Sequence, residues 1–185
     1  TPLASMSSNL LKANCLALLL GLSLGFRAQV NEYRFAETYL QYTPAVFMLA
    51  AAWGGVDHEH DFTYRSLNAA CVYATQAAIV YPLKWTIDEQ RPDGTAWNSF
   101  PSGHTAATFA GAEMIRLEYG NLWGGIFYAG ALYTGVMRVV HQRHWWWDVA
   151  AGAAIGVASA HLGKWASDKI MCTFGPTSFS LTYNF

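Results

Sequence analysis

The chain has 185 residues, of which 53% are hydrophobic, 15% aromatic and only 12% charged, with a formal net charge of −1. Ordinary soluble domains carry roughly a quarter charged residues, so the shortage points toward a membrane, although the mean hydropathy of +0.15 is low for a multi-spanning protein. The few basic residues are scattered, which excludes the basic stripe of a nucleic-acid binder.

Apolar stretches recur along the chain at fairly even intervals: Leu10 to Phe26, Tyr39 to Val56, Leu67 to Leu83, His104 to Met114, Leu122 to Met137 and Val149 to Trp165. They predict an all-α fold, a compact transmembrane bundle of about six helices. Crossing a bilayer takes about 20 apolar residues, and several stretches reach that only with their flanks. The first, where an apolar run follows Lys12 and ends at Arg27, reads either as a helix or as a signal peptide. No repeat or long linker interrupts the chain. It reads as one domain over 1–185, with a helical core over about 10–167 and a tail over 168–185.

Asp57-His58-Glu59-His60-Asp61 has metal-binding residue types but no apolar enclosure, and reads as a solvated polar loop. Cys15, Cys71 and Cys172 have neither metal-ligand nor redox spacing and read as small buried residues. In the tail, Ser178 to Phe185 alternates polar and apolar residues as a strand does.

Three clusters carry the chemistry. In the first, Lys84 closes an apolar helix and Arg91 stands before Pro92, which turns the chain out of helical geometry. By itself this pair of cations is equally an interfacial anchor. In the second, Pro101-Ser102-Gly103-His104 announces a helix start. Ser102 is a capping residue, Gly103 permits close backbone approach, and a helix N-terminus with free N–H groups suits a phosphate. The third holds Arg138, His141, Arg143, His144 and Asp148. His144 and Asp148 are spaced i,i+4 and share a helical face, where a carboxylate can fix the imidazole tautomer and free the other nitrogen for attack. Composition alone does not choose His144 over His141.

Phosphoryl transfer unites the three clusters. It needs positive charge around the phosphoryl oxygens, a nucleophile in line and a proton for the leaving oxygen. Lys84, Arg91 and Arg138 supply charge, Ser102 and the Gly103 N–H add donors, His144 supplies the attack and His104 the proton. The cation cluster can stabilise the developing charge with no metal and no cofactor.

In this order, Lys-x6-Arg-Pro, Pro-Ser-Gly-His and Arg-x5-His-x3-Asp resemble the motifs of the type-2 phosphatidic-acid phosphatase superfamily. Its members include membrane lipid phosphatases, non-specific acid phosphatases, glucose-6-phosphatase and vanadium haloperoxidases. The motifs cover residues 84–148, and the helix pattern extends the likeness to most of Leu10 to Trp165. The resemblance implies that His144 forms a phosphohistidine that water then hydrolyses and that Asp148 orients it. It implies that His104 protonates the leaving oxygen, while Lys84, Arg91, Ser102, Gly103 and Arg138 cradle the phosphate. One departure is Met137, where the family often has a small residue before the arginine.

The membrane branch of the family implies a bacterial lipid phosphatase acting on phosphatidylglycerol phosphate, phosphatidic acid, undecaprenyl pyrophosphate or lipid A. Its partners would be the lipid phosphate and the membrane, with no obligatory protein partner and no nucleic acid. If six helices span, Lys12, Arg65, Arg116, Lys164 and Lys169 lie opposite the site. The positive-inside rule then places the chain in the inner membrane with its site facing the periplasm or exterior. Trp145-Trp146-Trp147 would suit the headgroup interface. The alternatives are a soluble periplasmic acid phosphatase and a non-catalytic lipid-phosphate binding or transport protein.

Overall fold

The computed structural model describes residues 39–51, 56, 59–175 and 178–183, the side chains of 171–183 excepted. The helical elements are α1 (Thr43–Ala50), α2 (Phe62–Thr86), α3 (Gly103–Val140) and α4 (Trp146–Lys169). The expected helix over Leu10 to Phe26 lies outside the described residues.

Helix α2 starts where the Asp61 side chain accepts from the Tyr64 N–H at 2.8 Å, an N-cap bond. It runs past Pro82 to Thr86 and ends as Ile87 turns extended. The helix is longer than the apolar stretch 67–83 because a cap and a polar first turn extend it beyond the residues that need burial.

The two apolar stretches 104–114 and 122–137 fall within one element that doubles back. Gly120, at φ 83° and ψ −179°, breaks the helix, a conformation open essentially to glycine alone. The limbs 103–119 and 121–140 then run side by side. Tyr128 Oη donates to Glu113 at 2.8 Å, the Phe109 and Tyr128 rings meet edge to face, and Gly135 faces Thr105.

Helix α4 packs mainly on α3 and α2. A Cβ at Gly152 would stand 2.6 Å from the Ser102 carbonyl oxygen, and one at Gly156 2.4 Å from that of Ala106. Two glycines one turn apart thus let the α4 backbone press against the first limb of α3. The core is Met48, Ala69, Val72, Ala110, Met114, Ile115 and Ala160, flanked by Phe47, Tyr73, Tyr119, Trp123 and Phe127. A fully buried side chain of the size of Met114 or Ile115 contributes roughly 1.5–3 kcal/mol.

The expected strand in the tail has a partner. β1 (Ile170–Gly175) and β2 (Ser178–Tyr183) pair antiparallel, Ile170 opposite Tyr183 and Gly175 opposite Ser178. The fold is therefore helical with a terminal hairpin. Among the described residues no helix is long and apolar enough to cross a membrane, so the expected transmembrane bundle of six is not seen there. In α2 and α3, buried and interspersed polar groups such as Asn68, Gln76, Glu113, Glu118 and Arg138 dilute the apolar runs.

Candidate active site

The C-terminal end of α2, both ends of α3 and the N-terminal end of α4 meet at one end of the bundle. The loop 87–102 and the short turn 141–145 close that end. They are latched together: the Asp93 N–H donates to the Gln142 carbonyl at 3.1 Å, Arg143 pairs with Asp93 at 2.9 Å, and Trp145 Nε1 donates to the Gln90 carbonyl at 2.9 Å.

Between these segments lies a cavity of about 380 Å³ lined by Lys84, Arg91, Gly103, His104, Arg138 and His144, with Gln41, Tyr42, Gln76 and Tyr81 among the rest. The three sequence clusters, 54 residues apart at Lys84 and Arg138, thus share one space. His144 lines it, 2% exposed, whereas His141 is half-buried outside the lining.

Asp148 stands behind His144, fully buried. His144 Nδ1 lies 3.4 Å from Asp148 Oδ2, an ion-pair distance outside hydrogen-bond geometry. The same Oδ2 accepts from the Ser99 hydroxyl at 2.5 Å and the Trp145 N–H at 2.9 Å. Asp148 is the third residue of α4, so its bond to the Trp145 N–H is half of a capping box, and its charge complements the helix dipole. One carboxylate thus starts the helix and backs the histidine.

Lys84 Nζ donates to the Asn98 carbonyl at 2.8 Å and to that of Ser99 at 3.4 Å. Ser102, expected to face a phosphate, does not line the cavity. It is buried, its hydroxyl 2.8 Å from Thr105 Oγ1. Gly103 does line it, and a Cβ there would come within 3.7 Å of Lys84 Cε and Val80. Met137 is buried and outside the lining.

The electrostatics follow from crowding like charges in a half-buried space. Burial, then Arg91 and Arg138, lower Lys84 to about 8, against a smaller pull upward from Asp148. Burial and the charges of Arg138, His144, Lys84 and Arg91 lower His104 to about 4. His144 is also lowered, burial and the neighbouring cations outweighing Asp148. Burial would raise the Asp148 carboxyl, but contacts with His144, Ser99, Glu89 and the Trp145 N–H hold it below the carboxylate range. The result is two neutral imidazoles, an ionised aspartate and, among the described residues, a lining that holds three cations and no carboxylate. Such a lining can take a tetrahedral anion and sets two neutral imidazoles beside it.

Sequence reasoning missed Ser99, Glu89, Gln76 and Tyr42. Ser99 and Glu89 contact Asp148 from the loop 87–102, while Gln76 and Tyr42 line the cavity. No local pattern marks them, because their partners are distant in sequence. Of the acidic loop, Asp61 caps α2, and His60 pairs with Glu118 at 2.9 Å.

The sequence profile of the PAP2 superfamily matches residues 65–172. This chain belongs to that superfamily. Over 100 residues it is 46% identical to the lipid A 1-phosphatase of Porphyromonas gingivalis, a match covering 52% of this chain and 22% of that protein. Over 73 residues it is 37% identical to the bacitracin transport permease protein BcrC of Bacillus licheniformis, covering 40% and 36% respectively. The matches thus span well under half the length of these curated relatives. The crystal structure of Aquifex aeolicus LpxE shares the fold, with a TM-score of 0.52 at 23% identity over 70% of this chain and 83% of that one.

Proposed function

We propose that this protein is a metal-independent phosphatase that removes a phosphate or pyrophosphate group from a lipid through a phosphohistidine. The observation that carries the reading is the cavity itself, where Lys84, Arg91, Arg138 and the Gly103 backbone surround the space between His104 and His144. The phosphoryl group sits among the cations, and the free Nε2 of His144 attacks phosphorus as the bond to the leaving oxygen breaks. Asp148 orients the ring and stabilises the positive charge it gains. His104 gives its proton to the leaving oxygen, then takes one from the water that cleaves the phosphohistidine.

His104, neutral in the empty site, needs a proton before it can act as an acid. A bound phosphate dianion supplies negative charge that offsets Arg138, Lys84 and Arg91, the cations that lower it. Substrate therefore arms its own acid. Ser102 takes part through the helix end it begins.

A lipid substrate is supported by the surface. Trp85 beside Lys84, Trp97 in the loop 87–102 and Trp146 at the start of α4 are 78%, 61% and 68% exposed. Leu122, Ile126, Leu132 and Val136 lie exposed along the second limb of α3. Large apolar side chains exposed along one helix limb suit an apolar surface, and tryptophans favour the headgroup interface. Similarity to a lipid A phosphatase makes lipid A phosphates the first of the candidates, ahead of phosphatidylglycerol phosphate, phosphatidic acid and undecaprenyl pyrophosphate. The bacterial inner membrane, with the site facing the periplasm, is the location that fits such substrates.

The test is phosphate release from these lipids and from soluble monoesters, with EDTA present. Selective cleavage of one lipid is expected. Preference for soluble esters would move the protein to the acid-phosphatase branch, and a strict need for added divalent metal would overturn the mechanism.

A further inference from the structure

Glu89 lies inside the first motif's spacer, yet no motif position falls on it. The backbone holds it firmly: its carbonyl accepts from the Ser99 N–H at 2.9 Å. Its Oε1 accepts from Trp147 Nε1 at 2.7 Å. Its other oxygen, Oε2, is buried and receives no donor.

Ser99 ties Glu89 to the Asp148 carboxyl, its N–H donating to the Glu89 carbonyl and its hydroxyl to Asp148 Oδ2, and the two acids act on each other electrostatically. Asp148 has the same deficit. Its Oδ2 takes the Ser99 and Trp145 donors, while Oδ1 is buried with none. Two ionised carboxylates do not share such a space, and a buried acceptor left without a donor costs about 1–3 kcal/mol. One proton between the two groups removes the repulsion and satisfies both oxygens.

The surroundings decide which group holds that proton. Asp148 has the Ser99 hydroxyl, the Trp145 N–H and the neighbouring His144, and the charge of Lys84 acts on the same pair. Glu89 has only the Trp147 indole. The charge therefore stays on Asp148.

We infer that Glu89 is a neutral carboxylic acid that donates through Oε2–H to Asp148 Oδ1. It is a positioning residue: it locks the plane of the carboxylate standing behind His144. The inference rests on the reading that Asp148 orients His144 as the nucleophile, and it adds a fixed donor to the oxygen that neither Ser99 nor Trp145 reaches.

Two variants of the full chain separate donor from packing. Glu89→Gln keeps shape and a donor, whereas Glu89→Met keeps volume and loses the donor. With short-chain phosphatidic acid in mixed micelles, Glu89→Met should lower kcat by about 10–100-fold with KM little changed, the size expected for a lost hydrogen bond to a charged group. Glu89→Gln should stay within about threefold of the parent, a loss of under 1 kcal/mol. The second readout needs no turnover. In an NMR titration of the His144 imidazole, the midpoint should move up in Glu89→Met, where Asp148 keeps more of its charge for the ring, and stay put in Glu89→Gln.

A Glu89→Met protein with parental kcat, or a Glu89→Gln protein as impaired as Glu89→Met, would overturn the inference. If the parent itself releases no phosphate, the proposed function fails, and the His144 titration alone decides the role of Glu89: an unmoved midpoint in Glu89→Met rejects it.

Discussion

The two ends of the helical bundle handle charge in opposite ways. Away from the cavity, buried acids are matched. Glu113 accepts from Arg116 twice at 2.7 Å and from Tyr128 at 2.8 Å, with His161 Nε2 at 2.9 Å. Glu118 takes the backbone and ring nitrogens of His60, and Lys164 joins Tyr64 and Asp168. At the cavity, by contrast, Lys84 donates to backbone carbonyls, and among the described residues Arg91 Nε is buried without an acceptor. One end spends its charges on holding the fold together. The other keeps cations together at a cost in stability that a bound anion would offset.

The largest expected effect of breaking this contrast is at His144, the proposed nucleophile. His144→Ala should lower phosphate release by on the order of 10⁴-fold or more, the scale seen when a covalent nucleophile is removed, in a protein whose circular dichroism is unchanged. Full activity in a folded variant would end the mechanism. Next comes a swap between the ends. Lys84→Met should lower kcat/KM by about 10²–10³-fold, as loss of one electrostatic stabiliser does, while Tm without ligand holds or rises. Glu113→Ala should do the reverse, leaving kcat unchanged and costing about 1–3 kcal/mol for the donors it strands. A parallel response of activity and Tm in both variants would erase the distinction between the ends.

Smaller effects sharpen it. Inorganic phosphate at a hundred times its Kd should stabilise the parent by about 2.7 kcal/mol, read as a rise in Tm, and should do little at the same concentration for Lys84→Met. Equal rises in both would place the anion elsewhere. The smallest effect is in pH. His104 stays neutral down to about 4 in the fold, while an unfolded histidine protonates near 6.5. The unfolded state therefore binds more protons across that window, and the unliganded protein loses stability as pH falls from about 6.5 toward 4. Phosphate should flatten that slope in a melting series. An unchanged slope would separate His104 from the bound anion.

Much of the site was legible in the sequence because its parts sit next to features with local causes. Lys84 ends a helix, Gly103 and His104 open one, and Asp148 follows His144 by one helical turn. The rest depends on tertiary contact. Ser102 looked like a phosphate donor, but its hydroxyl finds Thr105 first, since both lie buried where Gly152 presses on the helix start. Ser99 and Glu89 reach Asp148 only because the loop 87–102 folds over α4, and nothing in their neighbours forecasts that. In the fold, five of the six apolar stretches correspond to described helical segments, although two belong to one doubled element. Their pattern could mark helices. It could not report whether they cross a membrane, because polar residues buried against protein and polar residues facing water interrupt an apolar run in the same way.

Gly120 divides the chain's labour as well as its longest helix. Everything before it brings Lys84, Arg91 and His104, and everything after it brings Arg138, His144 and Asp148. The turn itself lies at the end of the bundle away from the cavity, with open space around it. The two halves are thus joined far from where they cooperate. A tag or a peptide inserted at that turn would lengthen the hinge between them without touching the pocket, and each half alone would carry only one of the two histidines that the cavity brings face to face.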